Sequence, residues 1–146
     1  MPVIYASAKN SNTTTIIQPL KHLFHYIPTL IVAAVIAYLS LIREIHISYL
    51  PTFVGWDKIV HFTMFFGLAA TMYLDNRRSG KLSRRTRLII CIICILYGGL
   101  IEILQETFFY PRTGDWLDWI SDCIGTLIGI FLAHKIWIHR KKSTTC

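Results

Sequence analysis

Charged side chains occur beside long apolar runs in three stretches of this chain. An unpaired charge held away from water costs several kcal/mol or changes its protonation state, so each must be paired or used. We therefore take them, with one neighbouring amide, as the candidate functional residues. They are Asp57, Lys58 and His61; Glu102 and Gln105; and Arg112, Asp115, Asp118 and Asp122.

Helical spacing predicts which of these side chains share a face. Asp57 and His61 are four residues apart, and Glu102 and Gln105 are three apart, so each pair lies on one side of a helix. Three elements are thus needed to position the residues, because the pairs and the later aspartates fall in separate apolar runs.

The last stretch contains the most regular pattern in the sequence. Asp115, Asp118, Asp122, Gly125 and Gly129 follow one another at spacings of three, four, three and four. On a helix they form one stripe roughly 80° wide. The two glycines are a G-x-x-x-G, which is typical of close packing between membrane helices. A solvated run of charges would not align with a packing face, so the pattern favours a functional pocket.

His61 has the chemistry of a general base or a metal ligand, and Glu102 and Asp118 that of acids, bases or further ligands. We predict that these three are catalytic. The other six are predicted to bind substrate, because the cations among them suit a phosphate or carboxylate group. These six are Asp57, Lys58, Gln105, Arg112, Asp115 and Asp122.

Structural explanations of the same residues stay open. His61, taken alone, is better explained as a hydrogen-bonded packing histidine, and Glu102 is equally well explained as half of an ion pair with Arg112 or Lys58. Lys58 could also extend to lipid headgroups. A divalent metal is compatible with the set: carboxylates favour Mg²⁺ or Ca²⁺, and His61 also allows Zn²⁺. The metal ligands are therefore left unassigned.

Composition indicates a membrane protein. Of 146 residues, 53% are hydrophobic, and the mean hydropathy is +0.48, which is too apolar for an ordinary soluble domain. The net charge of +7 comes from basic residues at the ends of apolar runs, where they set topology. We expect no nucleic-acid partner, since no groove-reading motif is present.

The apolar runs predict an all-α membrane protein, a four-helix transmembrane bundle with spans near 27–42, 57–74, 88–108 and 116–138. Residues 1–25 are predicted to be a mobile tail, 26–138 the transmembrane domain, and 139–146 a basic carboxyl-terminal tail. Basic residues in both tails and in the loop between the second and third spans place these segments in the cytoplasm. The candidate site then lies on the external face.

The order of these motifs resembles that of the VanZ-like family over about residues 30–138. The pattern is D-K-x-x-H-F-x-x-F, then E-x-x-Q, then R-x-G-D-x-x-D, with a polar residue and a glycine following. In this sequence Asp122 stands where the family usually has Asn. The matching residues are Asp57, Lys58, His61, Phe62 and Phe65; Glu102 and Gln105; and Arg112, Asp115, Asp118 and Gly125.

The resemblance implies an integral protein of the bacterial cell (inner) membrane linked to resistance against glycopeptide antibiotics such as teicoplanin. Our first hypothesis is a non-catalytic protein that binds an envelope ligand or lipid headgroup through a mutually neutralising polar network. The alternative is a membrane-embedded, metal-assisted hydrolase or transferase acting on a lipid-linked envelope substrate. Membrane lipids are the expected partners in either case, and a homo-oligomer is compatible with both hypotheses.

Overall fold

The structure is a computed structural model that describes residues 24–41, 55–80, 82–108 and 114–143, with side chains up to residue 139. Within these ranges the chain is all-helical and contains no strand. It forms four helices, α1 (Ile27–Leu41), α2 (Trp56–Arg78), α3 (Arg84–Phe108) and α4 (Trp116–Ser143). Arg112, nearly all of the predicted amino-terminal tail, and most side chains of the predicted carboxyl-terminal tail lie outside the described residues.

Two of the helices are long and apolar enough to cross a membrane. They are α3, whose most apolar 18-residue window has a mean hydropathy of 2.4, and the Trp116–His139 part of α4, where that value is 1.4. Only 33% and 28% of their most apolar windows are buried within the protein, so most of their apolar surface faces outward. A core helix of a soluble protein would be mostly buried, whereas exposed apolar surface of this extent is typical of membrane or protein contacts.

The other two described helices do not meet this test. α1 has 15 residues, fewer than the ~20 that a bilayer core needs. α2 has 23 residues, but its apolar stretch carries polar side chains at both ends, including Asp57, Lys58 and Asp75. The four-span bundle and the cytoplasmic position of both termini therefore stay predictions.

α2 runs further than the sequence predicted. Asp75 and Arg78, assigned to the loop after the second span, belong to the last turn of the helix. The reason is a tertiary contact: Asp75 is fully buried, and its Oδ2 accepts hydrogen bonds from the backbone N–H of Thr29 at 3.2 Å and its hydroxyl at 2.7 Å. The carboxylate thus satisfies an otherwise unpaired donor in the first turn of α1.

The most extensive helix contact joins α2 to α4, and it passes through the two glycines of the G-x-x-x-G. A Cβ atom at Gly125 would overlap the carbonyl oxygen of Phe62, and one at Gly129 would lie 2.6 Å from that of Phe66. The backbones can approach this closely only because both positions lack side chains. This confirms the predicted packing face and identifies α2 as the partner helix.

α1 packs against α2 and α3 and completes the core. The Tyr97 hydroxyl of α3 donates to the Ala33 carbonyl of α1 at 2.7 Å. The packing holds the three site-bearing helices, α2, α3 and α4, in a fixed register. Its buried apolar residues are Ile36, Phe65, Leu68, Ala69, Ile90 and Cys94.

Candidate functional site

The start of α2, the end of α3 and the start of α4 meet at one end of the molecule. Lys58 of α2 reaches the first turn of α4, and Glu102 of α3 accepts a hydrogen bond from the backbone N–H of Asp115 at 2.9 Å. Residues more than forty positions apart in sequence therefore form one polar cluster. The antiparallel course of successive helices produces this meeting, because it brings alternate loops to the same end.

His61 lies at the centre of the cluster and is 2% exposed. Its Nδ1 atom is 3.1 Å from Oδ1 of Asp122 and 3.7 Å from Oε1 of Glu102. One ring nitrogen thus faces a carboxylate from each of two other helices. When Nδ1 carries the proton it donates to Asp122, which orients the ring and leaves Nε2 with the lone pair of a base.

Both carboxylates beside His61 are incompletely paired. Oε1 of Glu102 and Oδ2 of Asp122 are buried without a hydrogen-bond partner among the described residues. Glu102 is 8% exposed and Asp122 is fully buried. Buried acceptors are normally satisfied by protein groups or ordered water, so these two oxygens have free capacity to accept a hydrogen bond or contact a cation.

Lys58 is held by two carboxylates of α4. Its Nζ atom lies 2.8 Å from Oδ2 of Asp115 and 3.1 Å from Oδ1 of Asp118. Asp118 is largely buried, with 7% of its side chain exposed, whereas Asp115 stands half-exposed at the helix end. This ion-pair network satisfies the ammonium of Lys58, which is therefore poorly placed to hold the phosphate group that its sequence position predicted.

Asp115 also caps α4. Its Oδ1 accepts a hydrogen bond from the backbone N–H of Leu117 at 2.9 Å, as expected for an acid just before the first helical residue. The Lys58 ammonium, with this second bond, holds the pKa of the Asp115 carboxyl below its usual value. The same residue thus fixes the start of α4 and the position of Lys58.

A cavity of about 210 Å³ adjoins the cluster between the end of α3 and the start of α4. Glu102 belongs to both, since it lines the cavity and contacts His61. Trp119 is fixed by a hydrogen bond from its Nε1 to the Ile95 carbonyl at 3.1 Å, and its ring centroid lies 5.9 Å from that of Trp116. The lining residues are Gly99, Glu102, Ile103, Glu106, Gly114, Asp115, Trp116 and Trp119.

Six of these lining residues were not predicted to form a site, and three of the six, Glu106, Trp116 and Trp119, bear on ligand chemistry. Glu106 was taken as an interfacial carboxylate because it lies on a different helix face from Glu102. Trp116 and Trp119 were assigned to an interfacial aromatic belt. The signal that could have found them is the short connection between α3 and α4, which brings Glu106 opposite the tryptophans.

The structure does not bring every predicted site residue into the cluster in the same way. The Gln105 amide nitrogen donates to the Ser40 carbonyl of α1 at 2.7 Å, so this side chain secures the end of α1. Asp57 is exposed, although its carboxylate lies within 4.8 Å of ligand atoms of His61 and Asp118. Arg112 falls outside the described residues.

A second polar group at the opposite end of the molecule was not predicted. Besides the Asp75–Thr29 contact, the Tyr73 hydroxyl is 2.9 Å from Nδ1 of His134, and the Arg77 guanidinium lies 4.9 Å from the Trp137 ring centroid. These contacts join α2 to α4 beside the basic connection to α3. They are helix-packing contacts, and sequence pattern alone did not predict them because each pairs residues far apart in the chain.

These features define a class: an α-helical membrane protein with a polar, predominantly acidic cluster at one end of the helix assembly. The chain belongs to the VanZ/LLP1 family, whose family model matches residues 2–138, almost its whole length. The resemblance inferred from the motifs is thereby confirmed.

One curated relative is an uncharacterized protein of the fission yeast Schizosaccharomyces pombe, 28% identical over 90 residues. The match covers 59% of this chain and 50% of the relative, so the chain spans about half of that protein's length. Because this relative is a yeast protein, similarity of this kind is not confined to bacteria. None of the solved structures matches the chain.

Proposed function

We propose that this membrane protein binds an envelope ligand or lipid headgroup through a cationic amine, which enters the cavity between α3 and α4. The observation that carries the proposal is the charge of the cavity wall. Glu102, Glu106 and Asp115 line it, and its described lining includes no basic side chain. A cation is the ligand that such a wall stabilises.

The wider cluster has the same charge imbalance. Among the described residues at this end, the carboxylates of Asp57, Glu102, Glu106, Asp115, Asp118 and Asp122 face one lysine and one histidine. Lys58 is already bonded to Asp115 and Asp118. An anionic group would have to displace these carboxylates, whereas an amine would add a missing positive charge.

The aromatic side of the cavity supports the same ligand chemistry. Trp116 and Trp119 border it, and indole faces attract ammonium groups. Glu106 lies on the exposed surface of α3 and takes no part in the buried His61 contacts. It is therefore the residue through which ligand binding can be tested with the least disturbance of the fold.

The cellular part of the proposal follows the family resemblance. We place the protein in the bacterial cell membrane as a multi-pass protein, with the cavity on the external side. Binding there would change the presentation of envelope components and thus the response to glycopeptide antibiotics of the teicoplanin type. The cavity's position at one end of apolar helices supports access from the headgroup layer.

The test is a binding comparison on the purified full chain in detergent. Short-chain phosphatidylethanolamine should bind about tenfold more tightly than phosphatidylglycerol of the same chain length, since a desolvated amine contact contributes roughly 1–2 kcal/mol. Glu106→Gln should remove most of this preference. Thr107→Ala is the control, because Thr107 is exposed at the next position and its hydroxyl donates to the Ile103 carbonyl of its own helix at 2.7 Å.

Equal binding of the two lipids, or a preference for the anionic one, would overturn the proposal. Its cellular part is tested by teicoplanin susceptibility of a bacterial host expressing each variant at equal membrane levels. Wild type and Thr107→Ala should raise resistance alike, and Glu106→Gln should not. Equal resistance of hosts expressing the three proteins would show that the cavity has no influence on the response to teicoplanin.

A second candidate function is a membrane-embedded hydrolase or transferase acting on a lipid-linked envelope substrate. The contact that favours it is His61 Nδ1 against Asp122 at 3.1 Å, the arrangement that prepares an imidazole for general-base work. Incubation with polyprenyl-phosphate or phospholipid substrates, followed by mass spectrometry, should reveal turnover that His61→Gln abolishes. Identical product profiles for the two proteins would exclude a role of His61 as the base.

A further inference from the structure

His61, Glu102 and Asp122 come from three helices and meet within a small buried volume. One potential ligand atom from each lies within 4.8 Å of the others, and all three residues are buried. This group differs from the sequence prediction, in which Asp118 accompanied His61 and Glu102. Asp118 is instead bonded to Lys58 at 3.1 Å.

The separations within the group match those between ligands of one metal ion. His61 Nδ1 is 3.1 Å from Asp122 Oδ1 and 3.7 Å from Glu102 Oε1. Ligand atoms about 2.1 Å from a common ion are separated by about 3.0 Å in octahedral and about 3.4 Å in tetrahedral geometry. The shorter observed separation, 3.1 Å, is close to the octahedral value, and the longer one, 3.7 Å, exceeds the tetrahedral value by about 0.3 Å.

The unpaired oxygens supply a second, independent observation. Glu102 Oε1 and Asp122 Oδ2 are buried without hydrogen-bond partners among the described residues, although their residues are more than nine-tenths buried. Two carboxylates and a neutral imidazole carry two negative charges, which are costly in a buried place. One divalent cation would balance them and occupy free acceptor positions.

We propose that His61, Glu102 and Asp122 form a binding site for one divalent metal ion, with Zn²⁺ or Mn²⁺ as the ions that a mixed nitrogen and oxygen set suits. The ion joins α2, α3 and α4 at the base of the cavity. Glu102 takes part in both proposals, because it lines the cavity and belongs to the metal site. Glu106 and the tryptophans lie outside the metal site, so variants of Glu106 test amine binding separately from metal binding.

An alternative set shares His61 but takes Asp57 and Asp118 as partners. It is less suited to hold an ion, because Asp118 already neutralises Lys58 and Asp57 is exposed. Replacing residues of each set separately distinguishes the two. Asp122→Asn and Glu102→Gln remove ligands of the buried site, and Asp57→Asn and Asp118→Asn remove ligands of the other.

The first measurement is metal content of the full chain after dialysis against ZnCl₂ or MnCl₂ and removal of the free ion. Wild type should retain one ion per chain, as should Asp57→Asn and Asp118→Asn, whereas Asp122→Asn and Glu102→Gln should retain less than a tenth of this amount. Retention by the buried-site variants, or loss only in the other pair, would overturn the proposal.

X-ray absorption at the zinc edge keeps the proposal testable even where a variant fails to fold. The spectrum of the wild-type protein should show one imidazole and further oxygen ligands at about 2.0–2.1 Å, with no sulfur at about 2.3 Å. A sulfur shell would assign the ion to cysteine and refute the site. The preference for phosphatidylethanolamine over phosphatidylglycerol, measured on the same samples, tests the role of Glu106 in amine binding separately from metal binding.

Discussion

The carboxylate of Asp122 occupies the space that a side chain on residue 98 would fill. A Cβ atom at Gly98 would lie 2.8 Å from Oδ2 and 3.2 Å from Cβ of Asp122. The glycine on α3 is therefore what allows an acid of α4 to reach the centre of the cluster beside His61. Gly98 therefore determines both the close packing of α3 on α4 and the position of the Asp122 carboxylate beside His61.

Gly98→Ala should consequently displace Asp122 and destabilise the protein by about 1–3 kcal/mol, the usual cost of overpacking a close contact. The control is Gly99→Ala, whose Cβ would meet Trp119 Nε1 at an ordinary 3.4 Å. Thermal unfolding in detergent should show a lowered midpoint only for Gly98→Ala. Equal midpoints for the two variants would contradict the close contact.

Gly125→Ala should also be destabilising, because its Cβ would overlap the Phe62 carbonyl and force α2 away from α4. We expect a loss of about 1–3 kcal/mol. Gly67→Ala is a matched control within α2, since nothing lies within 4 Å of its Cβ and alanine favours helix by about 1 kcal/mol. A neutral Gly125→Ala would show that the helices do not pack through this face.

Lys58→Met should destabilise the start of α4, because Asp118 would keep a largely buried charge without its partner. The midpoint of thermal unfolding should fall by a few degrees at neutral pH, and adding Asp118→Asn should restore part of the loss. Failure of the second substitution to rescue the first would show that the ion pair contributes nothing to stability.

The second ion pair of Lys58, with Asp115, predicts a pH dependence. The pKa of Asp115 is lowered in the folded protein, chiefly by its bond to Lys58. Its contribution to stability is therefore present above the usual carboxyl pKa of 3.8 and is lost as pH falls through the lowered value. The midpoint of thermal unfolding, measured from neutral to acid pH, should fall less steeply at acid pH in Lys58→Met than in wild type, because the variant lacks the stabilisation of ionised Asp115 by Lys58. A parallel pH profile in the two proteins would argue against it.

Asp75→Ala should destabilise the protein by about 1–3 kcal/mol, because it leaves buried donors of Thr29 unpaired. Asp75→Asn keeps an acceptor and should cost less. Both variants should retain the lipid preference of wild type, since Asp75 lies at the end of α2 opposite the cavity. Loss of lipid preference without loss of stability would be inconsistent with a purely structural role.

The predicted topology can be tested with reporters expressed in a bacterial host. Green fluorescent protein attached after residue 143 should fluoresce, and alkaline phosphatase at the same point should be inactive, if that end is cytoplasmic. A phosphatase inserted after residue 80 should also be inactive. Activity at both points would reverse the orientation and place the cavity on the inner face, and activity at one point alone would contradict two spans between residues 80 and 143.

Much of the helical organisation was predictable because it depends on local pattern. The apolar runs located all four helices, with α1 and α4 starting where expected, and the three-and-four spacing from Asp115 to Gly129 identified the packing face of α4. These features repeat with the helix period, so neighbouring residues carry the information. The end of the molecule that carries the polar cluster was likewise indicated by charged residues within apolar sequence.

Which charged side chains pair with one another was decided only by the tertiary structure. Sequence spacing grouped Asp118 with His61 and Glu102, whereas the folded chain pairs Asp118 with Lys58 and brings Asp122 to His61. The sequence pattern assigned Asp75 to a loop, whereas in the structure it belongs to α2 and accepts hydrogen bonds from Thr29 of α1. Such choices depend on the rotation and register of one helix against another, which close packing sets through contacts between residues distant in the chain.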